Sequence, residues 1–346
     1  MKALLYQADG KVGLREVPVP AIGAGEALIA VDACGLCGSD IVKLARKDLR
    51  PPVPLGHEVA GRVAALGPGA SGLRLGQRVI LSHHVPCFEC HYCRHGQESM
   101  CREFKLSNLD PGGFAEFVRA SARHVRHVLL PIPEGLSSAE ASMTEPLSCC
   151  LRNVRRLGLD EGDTAVVVGL GFIGLLTSKL LLSRKVRVLG FDIDPQRAAL
   201  ARSLGVSQAW AGEEEAARRE LFSMTEGRGA DALVFTAGTP ELAARRLGWL
   251  RDGGAFNVFA SFHPSSAMTL DLNEVYHREL SVVASYSPQV QDLKDSLALL
   301  ASRTIDVSSF THSVFPLSGF EEALASVRSR SVVKALFLPS RNGASA

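Results

Sequence analysis

The chain has 346 residues, of which 46% are hydrophobic and 21% charged, and a formal net charge of +2. That length exceeds one ordinary core and suits two domains, and the composition is globular rather than disordered. The near-neutral charge gives no electrostatic footprint for nucleic acid or an anionic membrane. No apolar run reaches spanning length, and the opening MKALLYQADGK is too short for a secretory core, so a cytoplasmic protein is expected.

Up to about residue 150 the chain reads as mostly β. Short alternating or apolar runs at 27–33 and 59–65 are separated by Gly and Pro signals at 23–25, 67–69 and 111–113. This is the texture of a partly open barrel or sandwich with long functional loops. The eight cysteines are Cys34, Cys37, Cys87, Cys90, Cys93, Cys101, Cys149 and Cys150. Crowding of this kind, in a chain without a signal peptide, points to metal rather than to disulfides. The spacing Cys87-x2-Cys90-x2-Cys93-x7-Cys101 puts four thiolates on one loop, enough to close a tetrahedral zinc shell with no open position. That site is expected to be structural. His91 and His95 lie nearby and are expected to be bystanders, because the shell is already full.

A second constellation is dispersed. Cys37 sits in Cys34-Gly-Leu-Cys37-Gly-Ser39-Asp40, twenty residues before His57 in Gly56-His57-Glu58, and Glu145 follows much later in Thr144-Glu145-Pro146. The pair Cys34-x2-Cys37 has redox spacing but no thioredoxin-like βαβ context. Together Cys37, His57, Glu58 and Glu145 offer one thiolate, one imidazole and two carboxylates. That set suffices for a catalytic zinc with an exchangeable water.

Near Gly162 the texture changes to alternating strand and helix patterns. Strand candidates fall at 166–168, 186–191, 232–235, 255–259 and 280–284, and a helix pattern runs over 172–183. Asp194 reads as an N-cap with Pro195 at the first helical position, and Gly205 ends that helix. Repeated βα units imply a doubly wound parallel sheet. The run Glu213-Glu214-Glu215 reads as a solvated helix face. From about residue 289 one helix pattern continues through residue 300, followed by mixed strand and helix. The expected domains are therefore 1–150, 151–288 and a return segment 289–346 that completes the first.

The third signal is Gly169-Leu-Gly171-Phe172-Ile173-Gly174. It follows an apolar strand, opens a helix and precedes a second strand ending at Asp192. The glycines permit a tight turn and close approach to a pyrophosphate, and the helix N-terminus offers N–H groups to that anion. Asp192 accepts hydrogen bonds from an adenosine ribose and repels a 2′-phosphate, which favours NAD over NADP. Gly169, Gly171, Phe172, Ile173, Gly174 and Asp192 are the candidate cofactor residues.

With CGLCGSD and GHE, the four-cysteine lobe, and GLGFIG with Asp192 in this order, the chain resembles the zinc-dependent medium-chain dehydrogenase/reductase (alcohol dehydrogenase) superfamily. It is closest in motif to the sorbitol/polyol and threonine dehydrogenase branch, and the resemblance runs essentially end to end. It implies an α/β fold: a GroES-like β-rich catalytic domain split around a Rossmann NAD-binding domain. It implies two zinc ions per chain, one catalytic and one structural, and NAD(H). Carried over by position, Cys37 and His57 bind catalytic zinc, Glu58 is a direct or exchangeable ligand, and Glu145 touches zinc directly or through water. Ser39 matches the hydroxyl that passes the alcohol proton outward. Arg197 falls where a basic residue meets the adenosine ribose, and Lys334 where one reaches the pyrophosphate. One departure stands out: where many relatives carry a relay His, five residues after the first zinc Cys, this chain has Val42.

The resemblance implies oxidation of a secondary alcohol (a polyol, sugar-derived alcohol or amino-alcohol) to a ketone, and a homo-oligomer, with a tetramer favoured over a dimer. A biosynthetic carbonyl reductase of the same family is an alternative that differs only in direction. The zinc-free quinone reductase branch lacks both metal constellations. A non-catalytic zinc- and nucleotide-binding protein would use the lobe as a ribbon. Around it, however, Arg94, Arg102 and Lys105 are offset by Glu89, Glu98 and Glu103, so no basic stripe emerges.

Overall fold

The computed structural model describes residues 1–7, 10–46, 49–260 and 266–339. The chain divides into two units, Met1–Ser148 with Pro288–Ala346, and Cys149–Ser287.

In the first unit, β1 (Lys2–Tyr6) and β2 (Val12–Glu16) form an antiparallel ribbon. The strands β3 (Ala27–Gly35), β4 (Glu58–Leu66), β5 (Arg78–Leu81), β6 (Phe117–Ala120) and β7 (Leu129–Pro131) follow. The period-2 burial of β3, ALIAVDACG, puts Ala27, Ile29 and Val31 inward, and its last three residues are buried outright. Two register shifts against β4, between Leu28 and Ile29 and between Val31 and Ala33, bend the pair. Beyond them Gly35 lies opposite Glu58.

The second unit carries β8 (Thr164–Val168), β9 (Arg187–Asp192), β10 (Gln208–Ala211), β11 (Ala230–Phe235), β12 (Leu250–Val258) and β13 (Ser281–Ala284), all paired in parallel. β8 is TAVVV and wholly buried, as a strand covered on both faces must be. The strand order is β10-β9-β8-β11-β12-β13. The direction of winding therefore reverses between β8 and β11, the position at which doubly wound sheets bind ligands. The helix Phe172–Ser183 leaves β8 through the glycine turn. In the helix Pro195–Ser203, Asp194 caps the N-terminus by accepting from Gln196 N at 2.9 Å. Asn153 and Asn257 exchange two amide bonds of 2.9 and 2.8 Å while fully buried, tying the helix Thr144–Leu157 to β12.

The chain then returns to the first unit. β14 (Val314–Phe315) pairs in parallel with β15 (Leu336–Phe337), and β15 lies antiparallel on β3, with Leu336 opposite Gly35. The resulting sheet has the order β14-β15-β3-β4-β5-β7, with β6 also on β3. Phe337 meets Phe114 at 4.8 Å and Phe320 at 5.9 Å between ring centroids, so the core of this unit joins residues from both stretches of chain. No helix among the described residues is long and apolar enough to cross a membrane.

Candidate metal and cofactor sites

The cysteine lobe has little regular structure of its own. Between Cys87 and Leu106 it holds the helices His91–Arg94, Glu98–Met100 and Arg102–Leu106, of four, three and five residues. Phe88 adopts a left-handed φ of 64° and Gly96 one of 67°, which folds the loop back on itself. The four sulfurs converge: Cys90 to Cys93 is 3.5 Å, Cys101 to Cys87 3.6 Å and Cys87 to Cys93 3.9 Å. A zinc shell with bonds of ~2.3 Å has tetrahedral edges of roughly 3.8 Å, so the donor set fits zinc. Backbone N–H groups of Glu89 and Cys90 bring the Cys87 thiol down to about 7, which favours the thiolate that a metal requires. His91 and His95 stack on each other at 4.1 Å, and neither belongs to the metal-ligating group of sulfurs.

The second group comprises Cys37, His57 and Glu58, whose donor atoms all lie within 4.8 Å of one another. Cys37 is the N-cap of the helix Gly38–Leu44, and His57 and Glu58 stand at the entry to β4. Asp40, fully buried, joins the two segments. Its Oδ2 accepts from Cys37 N at 3.3 Å, its Oδ1 accepts from Gly56 N at 3.3 Å, and Oδ1 lies 3.4 Å from His57 Nδ1. Burial acts to raise the Asp40 carboxyl, but His57 beside it and the Lys43 ammonium hold it below its usual range. Burial likewise acts against a charged His57, and Asp40 and Cys37 together raise it well above the ordinary imidazole value. A carboxylate on Nδ1 leaves Nε2 to a metal and sets the ring orientation.

Glu58 is fully buried and forms an ion pair with Lys334, whose Nζ donates to Oε1 at 2.7 Å, lies 2.5 Å from Oε2 and donates to Leu36 O at 3.0 Å. Burial alone would lower the Lys334 ammonium, and Glu58 raises it instead. Gly35 makes room for this pair, since a Cβ there would stand 1.7 Å from Glu58 Oε2. A half-buried thiolate with a buried imidazole and a buried carboxylate is a donor set that suits zinc. Glu145 is also buried, in the first turn of the helix Thr144–Leu157, but it is not in this close group. Ser39 is exposed in the first turn of the helix Gly38–Leu44, and Val42 is 39% exposed.

At the end of β8, Gly169 has φ 89°, and a Cβ there would meet Ala237 Cβ at 2.7 Å. A Cβ on Gly174 would lie 1.8 Å from Gly169 O, whereas one on Gly171 would meet nothing within 4 Å. Gly169 and Gly174 thus serve the turn itself, and Gly171, the exposed N-cap of the helix Phe172–Ser183, borders open space where an anion can approach. Phe172 and Ile173 are half-buried. Asp192 ends β9. Its Oδ2 accepts from Leu170 N at 2.6 Å, and its Oδ1 accepts from Ile193 N at 2.7 Å and Asp194 N at 3.0 Å. Arg197, in the first turn of the next helix, is buried at 8% exposure.

Sequence reasoning gave Asp40 no role, although it stands three residues after Cys37 in the quoted motif. It gave Lys334 a place at a pyrophosphate from the resemblance, and the structure adds a pairing of its ammonium with Glu58. It also passed over His83 and His84, which follow β5 and stack near His57. Nothing in their spacing signals the contact.

Two family profiles match the chain: an alcohol dehydrogenase GroES-like domain over residues 23–134 and a zinc-binding dehydrogenase domain over 173–302. A D-altritol 5-dehydrogenase of Agrobacterium fabrum is 32% identical over 309 residues, covering 87% of this chain and 88% of that protein. A sorbitol dehydrogenase of Halalkalibacterium halodurans is 29% identical over 98% of this chain and 99% of its own. A crystal structure of a zinc-binding dehydrogenase from Sinorhizobium meliloti, bound to NADP, superposes with a TM-score of 0.87 at 26% identity, covering 98% and 99% of the two chains. The chain therefore belongs to the zinc-dependent medium-chain dehydrogenase/reductase family, in its sorbitol/polyol and threonine dehydrogenase branch, and is a zinc-dependent alcohol dehydrogenase.

Proposed function

We propose that this enzyme oxidises a secondary alcohol of the polyol, sugar-derived or amino-alcohol class to a ketone, with NAD+ as hydride acceptor. The observation that carries the reading is the Cys37–His57–Glu58 cluster with Asp40 beside His57, in a chain that also carries a glycine turn held by Asp192. When bound, zinc supplies Lewis acidity that lowers the pKa of a hydroxyl group, and nicotinamide supplies the hydride acceptor.

The protein's own groups do the rest. Cys37 and His57 anchor the metal, and Asp40 sets the His57 tautomer. Glu58 would supply the third donor while Lys334 offsets its charge, and Glu145 would act on the metal directly or through water. The four cysteines Cys87, Cys90, Cys93 and Cys101 hold a second, structural zinc. Ser39 Oγ takes the proton released by the substrate hydroxyl. Its exposure lets that proton pass to solvent, which suits a chain with aliphatic Val42 in place of a relay His. Asp192 selects NAD over NADP, because a fixed carboxylate accepts from a ribose diol and repels a phosphate. Gly171 admits the pyrophosphate, Phe172 and Ile173 present their N–H groups to it, and Arg197 steadies the adenosine end.

A homo-oligomer, with a tetramer favoured, belongs to the same reading. β13 is an edge strand of its sheet, with Val282 55% exposed and Tyr286 just beyond it 57% exposed, and an uncharged edge of this kind is best covered by a second copy. The eight free cysteines suit a reducing cytoplasm.

The test combines elemental analysis with absorbance of NADH over a panel of polyols and secondary alcohols. Two zinc ions per chain and substrate-dependent NADH formation are expected, with turnover reduced by orders of magnitude in Cys37→Ser. Near wild-type turnover in metal-verified Cys37→Ser would overturn the assignment of the catalytic site.

A further inference from the structure

Four rings form a continuous stack within the first unit. His57 meets His83 at 4.6 Å between centroids, His83 meets His84 at 3.8 Å, and His84 meets Phe104 at 4.7 Å, with tilts of 45°, 38° and 40°. One end of this stack lies in a metal-ligating group and the other lies beside the second such group. His57 belongs to the catalytic group. Phe104 sits in the helix Arg102–Leu106, whose N-cap is Cys101, a member of the four-cysteine group.

The intervening residues are held from both sides. His84 Nδ1 donates to Ser107 O at 2.7 Å, and Val85 N donates to Ser107 Oγ at 2.9 Å, which straps residues 84–85 to the end of the cysteine lobe. Ser107 Oγ in turn donates to Phe104 O at 2.8 Å. His124 Nε2 donates to His83 O at 3.0 Å, and its Nδ1 is 2.7 Å from Ser121 Oγ, so the neutral tautomer is protonated on Nε2. Phe104 is 3% exposed and His83 8%. The buried His83 Nδ1 has no hydrogen-bond partner among the described residues, and the ring packs between His57 and His84. A ring located by packing follows the rings on either side of it.

We propose that His84 and Phe104 are positioning residues for the catalytic metal: through His83 they press the His57 ring into its ligating orientation and so make that orientation depend on the folded cysteine lobe. Asp40 fixes His57 from the Nδ1 side, and the stack fixes the plane of the ring. Neither His84 nor Phe104 touches metal or substrate. The inference rests on Cys37, His57 and Glu58 as the catalytic ligands. It goes beyond that assignment by giving the structural zinc a second task besides stabilising its loop.

The experiment uses the full zinc-loaded protein and follows zinc release to a metallochromic chelator, the catalytic phase being the one absent from Cys37→Ser. Phe104→Leu is expected to release catalytic zinc about tenfold faster, the scale of other interactions that orient metal-bound histidines. Phe104→Tyr, which keeps the ring, is expected to match wild type. Adding His84→Leu to Phe104→Leu is expected to bring little further loss, because both break one path. An unchanged catalytic phase in Phe104→Leu overturns the proposal, as does equal acceleration in Phe104→Leu and Phe104→Tyr. Should Phe104→Leu lose both zincs together, His84→Leu alone, which alters no residue of the lobe, carries the same expectation and the same refutation. Wild-type protein that releases a single class of zinc overturns the ligand assignment itself, a result distinct from two phases that ignore the stack.

Discussion

Glu58 and Lys334 show how much a single buried pair constrains. Both are out of water, and each charge is tolerable only because the other is within 2.7 Å. Lys334→Met leaves the carboxylate alone in the core. The metal-free variant is expected to lose about 3–5 kcal/mol of unfolding free energy. Adding Glu58→Gln should recover most of that loss, and denaturant melts of the single and double variants would show it. A single-variant loss within about 1 kcal/mol would mean that water reaches the site. Asp192 makes a second residue-scale case. Its carboxylate is fixed by three backbone N–H groups, so the proposed contact with a ribose would need little reorganisation. Asp192→Ser is expected to shift the ratio of kcat/KM for NAD over NADP by about tenfold or more towards NADP. An unchanged ratio would remove Asp192 from that role.

Among elements, the short helix Ser138–Ala141 is an informative one. Ser137 caps it in a reciprocal box, accepting from Glu140 N while Glu140 Oε2 accepts from Ser137 N at 2.9 Å. Glu140 also pairs with Arg303, from the return stretch of chain. Burial acts to raise the Glu140 carboxyl, but Arg303 and Ser137 bring it below its ordinary 4.5. A depressed folded-state pKa contributes stability above the unfolded value and loses it as pH falls through the folded value. Glu140→Gln is thus expected to be less stable than wild type by about 1 kcal/mol at neutral pH. Thermal melts should show the gap closing as pH drops below 4.5, and a gap that persists in acid would assign the effect to packing instead. The cysteine lobe is the opposite kind of element. No helix in it exceeds five residues, so a metal on its four thiolates would do what a hydrophobic core does elsewhere.

At the scale of the whole molecule, two units with separate cores share one chain, and the first is closed by strands from both ends of the sequence. Among the described residues the parallel sheet ends in β13, where Val282 is 55% exposed. If the proposed homo-oligomer forms through this edge, Val282→Lys, which places a charge on it, is expected to give a smaller species in light scattering, with the far-ultraviolet spectrum unchanged. An unaltered mass would move the interface elsewhere.

How far the sequence reached depended on the range of the interactions involved. The fold class, a GroES-like unit with a Rossmann unit, was legible because β8, its glycine turn and the next helix are written in contiguous residues. So was the helix Phe172–Ser183, and so was the cap Asp194 with Pro195. Several strands read short. The window 166–168 missed Thr164, a polar residue buried because β11 lies beside it and Asp231 Oδ2 accepts from its N–H at 2.7 Å. The convergence of four sulfurs in the lobe is local and follows from spacing within fifteen residues. By contrast, Lys334 meets Glu58 across 276 residues, and the stack joins His57 to Phe104 through two histidines that carry no periodic or spacing signal. Local hydrogen bonding and metal chemistry, set by residues near in sequence, were determined by the sequence itself. The partner of a buried charge and the ring beside a ligand were decided only by the tertiary structure, because packing selects neighbours by space rather than by order along the chain.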